Sequence, residues 1–203
     1  MVRFRRRLVF VLPLAVAALG SLHAAEETAR IRGQITAVDG HTLTVVSREG
    51  PTVTLTLTDD AKISAVLPAD LQSIAPGSYI GAAATPEDNG RLLAQEIVIF
   101  PPSMKGVGEG HRPWDLTPDS TMTNGTVDAT VGDVTARVLT LEYKDGQKEL
   151  EVPPGIPIVT LAPGDAGLLV PGAWVFLTAK KADDGVLTTD RVAVGKDGLK
   201  PPM

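Results

Sequence analysis

The stretch Thr52-Val53-Thr54-Leu55-Thr56-Leu57-Thr58 alternates threonine with an aliphatic residue. Side chains of a β-strand point alternately to opposite faces, so this pattern predicts a strand with one buried face and one polar face. Threonine and valine also suit the strand backbone. Similar patterns precede it at residues 30–38 and 42–47, with turn signals at Asp39-Gly40 and Glu49-Gly50-Pro51. The folded part of the chain is therefore expected to begin with three consecutive strands.

Two more strands follow after a break. Residues 68–74 begin with a proline and are expected to form a short helical turn that ends at Pro76-Gly77. Residues 78–85 and 91–100 have the composition of strands, and Asp88-Asn89-Gly90 provides a turn between them. The unit therefore has five strands, and the break falls between the third and the fourth.

The second half of the chain repeats the turn residues of this unit in the same order. Four glycines of the second half follow four of the first by 92, 96, 95 and 95 residues: Gly125 after Gly33, Gly146 after Gly50, Gly172 after Gly77 and Gly185 after Gly90. The spacing changes around residues 132–134, and insertions are tolerated in loops. The pattern indicates that one five-stranded unit has been duplicated.

Five strands interrupted after the third are typical of a Greek-key barrel of the oligonucleotide/oligosaccharide-binding (OB) type. We therefore predict an all-β protein with two tandem five-stranded OB-like barrels, at residues 28–101 and 123–195. Residues 102–122 are rich in glycine and proline, so they should form a structured linker without helix or strand, and residues 196–203 a flexible tail. A pair of five-stranded sandwiches or of open SH3-like barrels is the alternative architecture.

The N-terminus has the pattern of a secretory signal peptide at residues 1–24. Four arginines precede an apolar run at residues 8–19, and small residues around Ser21 favour cleavage after Ala24. The run is short for a membrane span, so a retained N-terminal anchor is the less favoured alternative. We expect a periplasmic or secreted protein that has no membrane span after signal cleavage.

The composition limits the partners that we expect. The chain has no cysteine, so its stability must come from the burial of apolar side chains. Its net charge is −5 at pH 7. Nucleic acids and anionic lipids need a basic surface, so neither is an expected partner. Aromatic residues make up 4% of the chain, which argues against a platform for stacking bases. An envelope protein or a small ligand is the partner class that remains.

The linker concentrates the side chains that could carry chemistry. Met104, His111 and Met122 offer thioether sulfur and imidazole, which suit Cu(I), so they are the candidate metal ligands. Zinc is less favoured because there is no cysteine and no second histidine nearby. The structural interpretation is a clasp that holds the two barrels together through Glu109, Arg112, Trp114 and Asp115.

The first unit has the pattern Gly33-x-Ile35-x-x-Val38-Asp39-Gly40-x-Thr42-Leu43-x-Val45, followed by Pro76-Gly77 and a final apolar strand. In this it resembles DUF5666-like exported bacterial proteins of unknown function. The linker at residues 108–116 and the segment at 119–124 are similar to those of a group of proteobacterial exported proteins. Some members of that group are labelled as metal transporter components. The resemblance implies tandem OB-like domains and no catalytic residues to carry over.

The sequence offers little for catalysis. A hydrolase would need a hydroxyl close to His111, and Ser103, Ser120, Thr121 and Thr123 are the local candidates. None of them lies in a nucleophile-elbow pattern. We therefore predict no catalytic residues and no cofactor, and we favour a non-enzymatic binding or interaction protein of the bacterial envelope. Copper binding by the linker and, less favoured, hydrolase activity are the alternatives.

Overall fold

The computed structural model describes residues 27–132, 137–182 and 184–203, so the predicted signal peptide at residues 1–24 lies outside the described residues. The described part is all-β, as predicted, and its helices are four 3-10 turns. None of the helices in this part is long and apolar enough to cross a membrane. The strands are β1 (Thr28–Asp39), β2 (Thr42–Ser47), β3 (Thr52–Pro68), β4 (Tyr79–Pro86), β5 (Leu92–Ile99), β6 (Gly110–Pro113), β7 (Thr121–Gly132), β8 (Arg137–Tyr143), β9 (Gly146–Val152), β10 (Ile158–Pro163), β11 (Trp174–Lys181) and β12 (Leu187–Gly195). The 3-10 turns are Leu71–Ser73, Pro102–Met104, Ala166–Leu168 and Lys196–Gly198.

The strands close into two five-stranded barrels with the same circular order. In barrel 1, β1 pairs with β2, β2 with β3, β3 in parallel with β12, β12 with β11, and β11 with β1. In barrel 2, β7 pairs with β8, β8 with β9, β9 in parallel with β5, β5 with β4, and β4 with β7. This closure is the OB-like Greek-key architecture that the strand order predicts.

Each barrel, however, is assembled from both repeats. It takes its first three strands from one repeat and its last two from the other, so the prediction that residues 28–101 and 123–195 each close a barrel alone is wrong. The cause is β3, which runs for 17 residues without a break. At about 3.3 Å per residue it spans roughly 55 Å, far more than a barrel strand needs. It carries the chain away from barrel 1, so that β4 and β5 close barrel 2.

A pseudo-twofold axis relates the two repeats and passes beside Val66 and Leu161. These two residues are equivalent by the repeat offset of 95, and they pair with each other in the antiparallel ladder between β3 and β10. The two parallel pairings are related in the same way: Ile63 pairs with Val192, and their equivalents by the same offset, Ile158 and Ile97, pair with each other. The exchange of strands is therefore reciprocal, and the fold corresponds to a swapped dimer contained in one chain.

Three apolar clusters form the core. The first fills barrel 1 and combines Leu43 of the first repeat with Leu177 of the second. The second fills barrel 2 and combines Ile80 with Leu141 in the same way. Full burial of such a side chain stabilises by roughly 1.5–3 kcal/mol. The third cluster lies outside both barrel interiors and joins the barrels through Val66, Val98, Val159, Leu161 and Met203.

The linker and the tail are more regular than the sequence predicts. The linker contains strand β6, which pairs with β7, so the expectation that it holds no strand is wrong. Gly106 and Gly108 adopt positive φ and make the turn that leads the chain into β6. The predicted flexible tail at residues 196–203 is packed instead, because Met203 is 7% exposed and belongs to the third cluster.

Candidate functional site

A cluster of charged and aromatic side chains lies between β1 and the linker; we call its members Arg30, Arg32, Trp114, Asp115 and Phe176 the arginine–tryptophan cluster. On β1, Ile31 points into barrel 1, so Arg30 and Arg32 at the adjoining alternate positions point outward. The backbone N–H of Trp114 donates to the Ser120 carbonyl at 2.8 Å, which fixes the turn after β6. That turn brings Trp114 and Asp115 against β1.

The indole of Trp114 is surrounded by guanidinium groups. The Arg30 Cζ lies 4.0 Å from the ring centroid, and those of Arg32 and Arg112 lie 5.7 Å from it. The Phe176 ring packs against it with a centroid distance of 6.4 Å. A cation over an aromatic face contributes about 0.5–1 kcal/mol at exposed sites and more when desolvated. Trp114 therefore holds like-charged arginines close together that would otherwise repel one another.

Asp115 bridges the two arginines of β1. Its Oδ1 accepts from Arg32 Nη2 at 2.7 Å, and its Oδ2 lies 3.4 Å from Arg30 Nη1. Partial burial opposes ionisation of this carboxyl, but the hydrogen bond from Arg32 and the charges of both arginines outweigh it, so the pKa of Asp115 lies below its usual value. One carboxylate thus serves two guanidiniums, and Arg30 is the less tightly held.

Arg32 also takes part in a buried polar chain that ties the tail to barrel 2. Its Nε donates to the Met203 carbonyl, and the Met203 N–H donates to Glu96 Oε2 at 2.8 Å. Glu96 lies on β5 and is 3% exposed. Burial raises the pKa of Glu96 to about 7, against the opposing attraction of Arg32 and Arg48. Its Oε1 has no hydrogen-bond partner among the described residues.

A cavity of about 430 Å³ opens beside the cluster at one end of barrel 1. Its polar lining is Arg30, Arg32, Ser47, Glu49 and Asp115, and its apolar lining includes Val53 and Leu187. Ser47 Oγ donates to Glu49 Oε2, and this hydrogen bond is the main cause that lowers the pKa of Glu49. The two carboxylates of the cavity therefore already have partners, while the Arg30 side chain is 31% exposed.

Another depression, of about 490 Å³, lies at the turn between β8 and β9. A single hairpin, residues 142–147, supplies its lining. Binding sites bring polar groups together from separate elements. The cavity beside β1 meets this condition because β1, the β2–β3 turn, β12 and the linker all contribute to it, so it is the better candidate.

The candidate metal ligands do not converge. In the β6–β7 ladder, His111 lies opposite Thr123 and Arg112 lies opposite Met122. Successive residues of a strand face opposite sides, so His111 and Met122 point to opposite faces of the ribbon. Met104 packs instead against the third apolar cluster. Among the described residues, no group of three or more His, Cys, Asp or Glu could hold a metal ion.

His111 has structural partners in place of a metal. Its Nδ1 is 2.8 Å from Thr123 Oγ1, and its ring stacks on Tyr143 with a centroid distance of 6.5 Å. Partial burial, helped by the charges of Lys148 and Arg112, lowers the pKa of His111. The hydrogen bond and the stacked ring hold the imidazole on the face of the ribbon that it shares with Thr123.

The residues predicted to form a clasp contact both barrels. Glu109 Oε1 accepts from the Lys144 N–H at 3.0 Å, at the β8–β9 turn of barrel 2. Arg112 Nη1 donates to the Gly108 carbonyl at 2.7 Å within the linker. Trp114 and Asp115 reach β1 of barrel 1. The linker leaves barrel 2 after β5 and returns to it at β7, and between these points it reaches barrel 1 at the cavity.

Sequence reasoning missed Arg30, Arg32 and Glu96. The signal for the arginines was their alternation with Ala29 and Ile31, because two cations on one face of a strand need anions or aromatic rings opposite them. Glu96 gave no such signal, since a single acid in an apolar strand reads as a solvent-facing residue.

Comparison with known proteins yields no match, whether to a family model, a curated protein or a solved structure. The proposal for the binding site therefore rests on the geometry of the cavity and its charged lining.

Proposed function

We propose that the protein is an exported, non-enzymatic binding protein of the bacterial envelope, and that it holds a carboxylate-bearing partner in the cavity beside Arg30 and Arg32. The observation that carries this proposal is the convergence of two guanidiniums on a cavity of about 430 Å³ built from four separate elements. Export is supported by the signal-peptide pattern at residues 1–24 and by the resemblance to exported bacterial proteins.

The exposure of Arg30 beside the cavity favours an anionic partner. Arg32 is 4% exposed and bonded to Asp115 and Met203, so it has little capacity left. Arg30 shares Asp115 at 3.4 Å, and about a third of its side chain remains exposed. A guanidinium has five N–H donors in a planar fork that matches a carboxylate. Arg30 is therefore the anchoring residue of the proposed site.

The linker residues support the site as positioning groups. Trp114 and Asp115 hold the guanidiniums of β1 in place, and Glu109 and Arg112 fix the linker that carries them. A site supported in this way loses little conformational entropy on binding, which favours affinity.

The copper-type alternative has no comparable support. The β6–β7 register directs His111 and Met122 to opposite faces, and Met104 lies in the apolar cluster between the barrels. A Cu(I) site needs soft ligands that converge on one point. We therefore place the binding site at Arg30 and not at the linker histidine.

The experiment uses the fluorescence of Trp114 in a Trp174→Phe background, which removes the other tryptophan. The probe is an acetylated and amidated tetraglutamate peptide, and the matched control is the tetralysine peptide. Tetraglutamate should give a saturable change that Arg30→Gln weakens by about tenfold, the usual effect of losing one charge-assisted hydrogen bond. Arg91→Gln, which removes an arginine paired with Glu149 on barrel 2, should leave the affinity unchanged.

The absence of saturation with tetraglutamate would refute the proposal. An equal response to tetralysine, or equal losses in Arg30→Gln and Arg91→Gln, would also refute it, because the effect would then not depend on the charge at Arg30.

A further inference from the structure

The edge of β1 at its N-terminal end has backbone groups without a strand beside them. The Glu27 carbonyl accepts from Lys181 N–H at 2.8 Å, and Ile35 N–H donates to the Ala173 carbonyl at 2.9 Å, so the odd-numbered residues of this stretch bond towards β11. Antiparallel ladders alternate, so Thr28 and Arg30 direct their N–H and C=O groups to the other side.

That other side is open over these residues. β2 pairs with β1 from Gly33 onward, and the Arg48 N–H donates to the Arg32 carbonyl at 2.7 Å, so the open edge ends before Arg32. Within the described part of the chain, no backbone group bonds to the N–H or C=O of Thr28 or Arg30. The cavity beside the arginine–tryptophan cluster lies along this edge, since residues 29–32 line it.

The equivalent edge of the second repeat carries a strand. Arg30 corresponds to Met122 by the offset of 92 that relates Gly33 to Gly125. Met122 lies opposite Arg112 of β6, and the Ser120 carbonyl, equivalent to that of Thr28, accepts from Trp114. The backbone hydrogen bonds of β7 alternate between its two neighbours in the same phase as those of β1. Val127, the counterpart of Ile35, bonds towards β4 as Ile35 bonds towards β11. In barrel 2, therefore, the edge equivalent to that of β1 is paired with an added strand, β6.

We infer that the edge of β1 at residues 28–31 binds an extended segment of a partner protein by strand addition, antiparallel to β1, with an acidic side chain opposite Arg30. The inference rests on the proposed function and specifies the partner as a peptide strand. Main-chain hydrogen bonds supply affinity in this binding mode, and alternate side chains supply specificity.

The lining of the cavity defines the pattern of that strand. Residues directly opposite each other share a face, so the residue opposite Arg30 meets its guanidinium and a carboxylate suits it. The next residue points to the other face, where Val53 and Leu187 line the cavity. A segment that alternates acidic and aliphatic residues therefore fits both faces.

A second copy of this chain fits the edge less well. Antiparallel pairing of two β1 edges centred on Arg30 would place one Arg30 against the other. Like charges directly opposite each other destabilise a strand pair, and charged edges are a common protection against self-association. An acidic strand meets no such repulsion.

The test uses the full chain and an acetylated, amidated heptapeptide of alternating valine and glutamate. Amide hydrogen exchange is followed by NMR with and without the peptide. The amides of Thr28 and Arg30 should slow by about tenfold or more, while those of Ala29 and Ile31, already bonded to β11, should change little. Arg30→Gln should weaken binding of the peptide, and Arg91→Gln should not.

N-methylated peptides separate strand addition from simple charge attraction. The residue opposite Arg30 exchanges both backbone hydrogen bonds with it, so methylation of the glutamate nitrogens should abolish binding. Methylation of the valine nitrogens, which face away from β1, should leave it intact. The two peptides carry the same charge.

The outcomes distinguish this inference from the proposed function. Binding that depends on Arg30 without protection of Thr28 and Arg30, or that is equal for both methylated peptides, overturns strand addition and leaves the carboxylate site standing. No binding by either the heptapeptide or tetraglutamate overturns both. Protection of these amides in the peptide-free protein, together with a concentration-dependent dimer mass, overturns the peptide partner in favour of a second copy.

Discussion

Replacing Glu96 with glutamine should remove a pH dependence from the stability of the protein. The Glu96 carboxyl is 3% exposed, and burial raises its pKa from 4.5 to about 7, although Arg32 and Arg48 attract its charged form. Glutamine keeps an acceptor for the Met203 N–H and cannot ionise. The substitution therefore tests the buried charge with little change in volume.

The sign of the effect follows from proton linkage. The pKa of Glu96 is higher in the folded state, so folding is favoured by the protonated form. This contribution to stability is fully present below pH 4.5 and is lost as the pH rises through about 7. The interval between these two pKa values corresponds to about 3 kcal/mol in all. Between pH 5 and pH 8 the loss amounts to about 2.5 kcal/mol.

The assay is urea unfolding of the wild type and of Glu96→Gln at pH 5 and pH 8. At each pH the free energy of unfolding of the wild type is subtracted from that of the variant. This difference should rise by about 2.5 kcal/mol from pH 5 to pH 8, because the wild type loses stability that the variant keeps. His111, whose pKa is lowered, contributes a trend of the opposite sign, but it is common to both proteins and cancels. Parallel pH dependences in the two proteins would refute the reasoning.

Two further predictions concern packing. Trp114→Ala should lower the free energy of unfolding by about 2 kcal/mol, because the indole loses its contacts with three guanidiniums and a phenyl ring. A loss within the error of urea titration would contradict the account of the cluster. Gly33→Ala and Gly125→Ala should each lower the free energy of unfolding by about 1–3 kcal/mol. A Cβ added at Gly33 would lie 2.3 Å from the Val46 carbonyl oxygen, and one added at Gly125 would lie 2.6 Å from the Glu142 carbonyl oxygen. Tolerance of one and not the other would contradict their equivalence in the two repeats.

The sequence predicts the strands well because their information is local. The alternation around Val53 and Leu55 and the glycines at the turns define the elements and the duplication. The pairing of β4 is not local in this sense. Ile80 of β4 pairs with Gly125 of β7, and Gly33 is the equivalent residue of the similar strand β1. The sequence alone therefore allows β4 to pair with either β7 or β1. The choice depends on the continuous length of β3 and its ladder with β10, which are properties of the whole fold.

The same distinction applies to the site. Trp114, Asp115 and Arg112 stand out in the sequence because the repeat does not explain them. Arg30 and Glu96 do not stand out, because their importance comes from contacts made across the exchanged strands and the packed tail. Composition also misled the prediction for the linker, since glycines that favour loops here make the turn before a paired strand.

The exchange of strands between the repeats underlies the site, because it places Phe176 of the second repeat beside Arg32 of the first. The chain has no cysteine, so two introduced cysteines can report on it directly. Thr28 lies opposite Lys180 in the β1–β11 ladder. In a barrel built from one repeat alone, Thr85 would take that place, since it precedes Lys180 by the repeat offset of 95.

The most direct measurement is oxidation of two double variants, followed by peptide mass mapping of the monomer. Thr28→Cys with Lys180→Cys should form an intramolecular disulfide, because directly opposed residues of an antiparallel pair lie within bonding range. Thr28→Cys with Thr85→Cys should remain reduced. A disulfide in the second variant and none in the first would show that each repeat closes its own barrel, and would contradict the account.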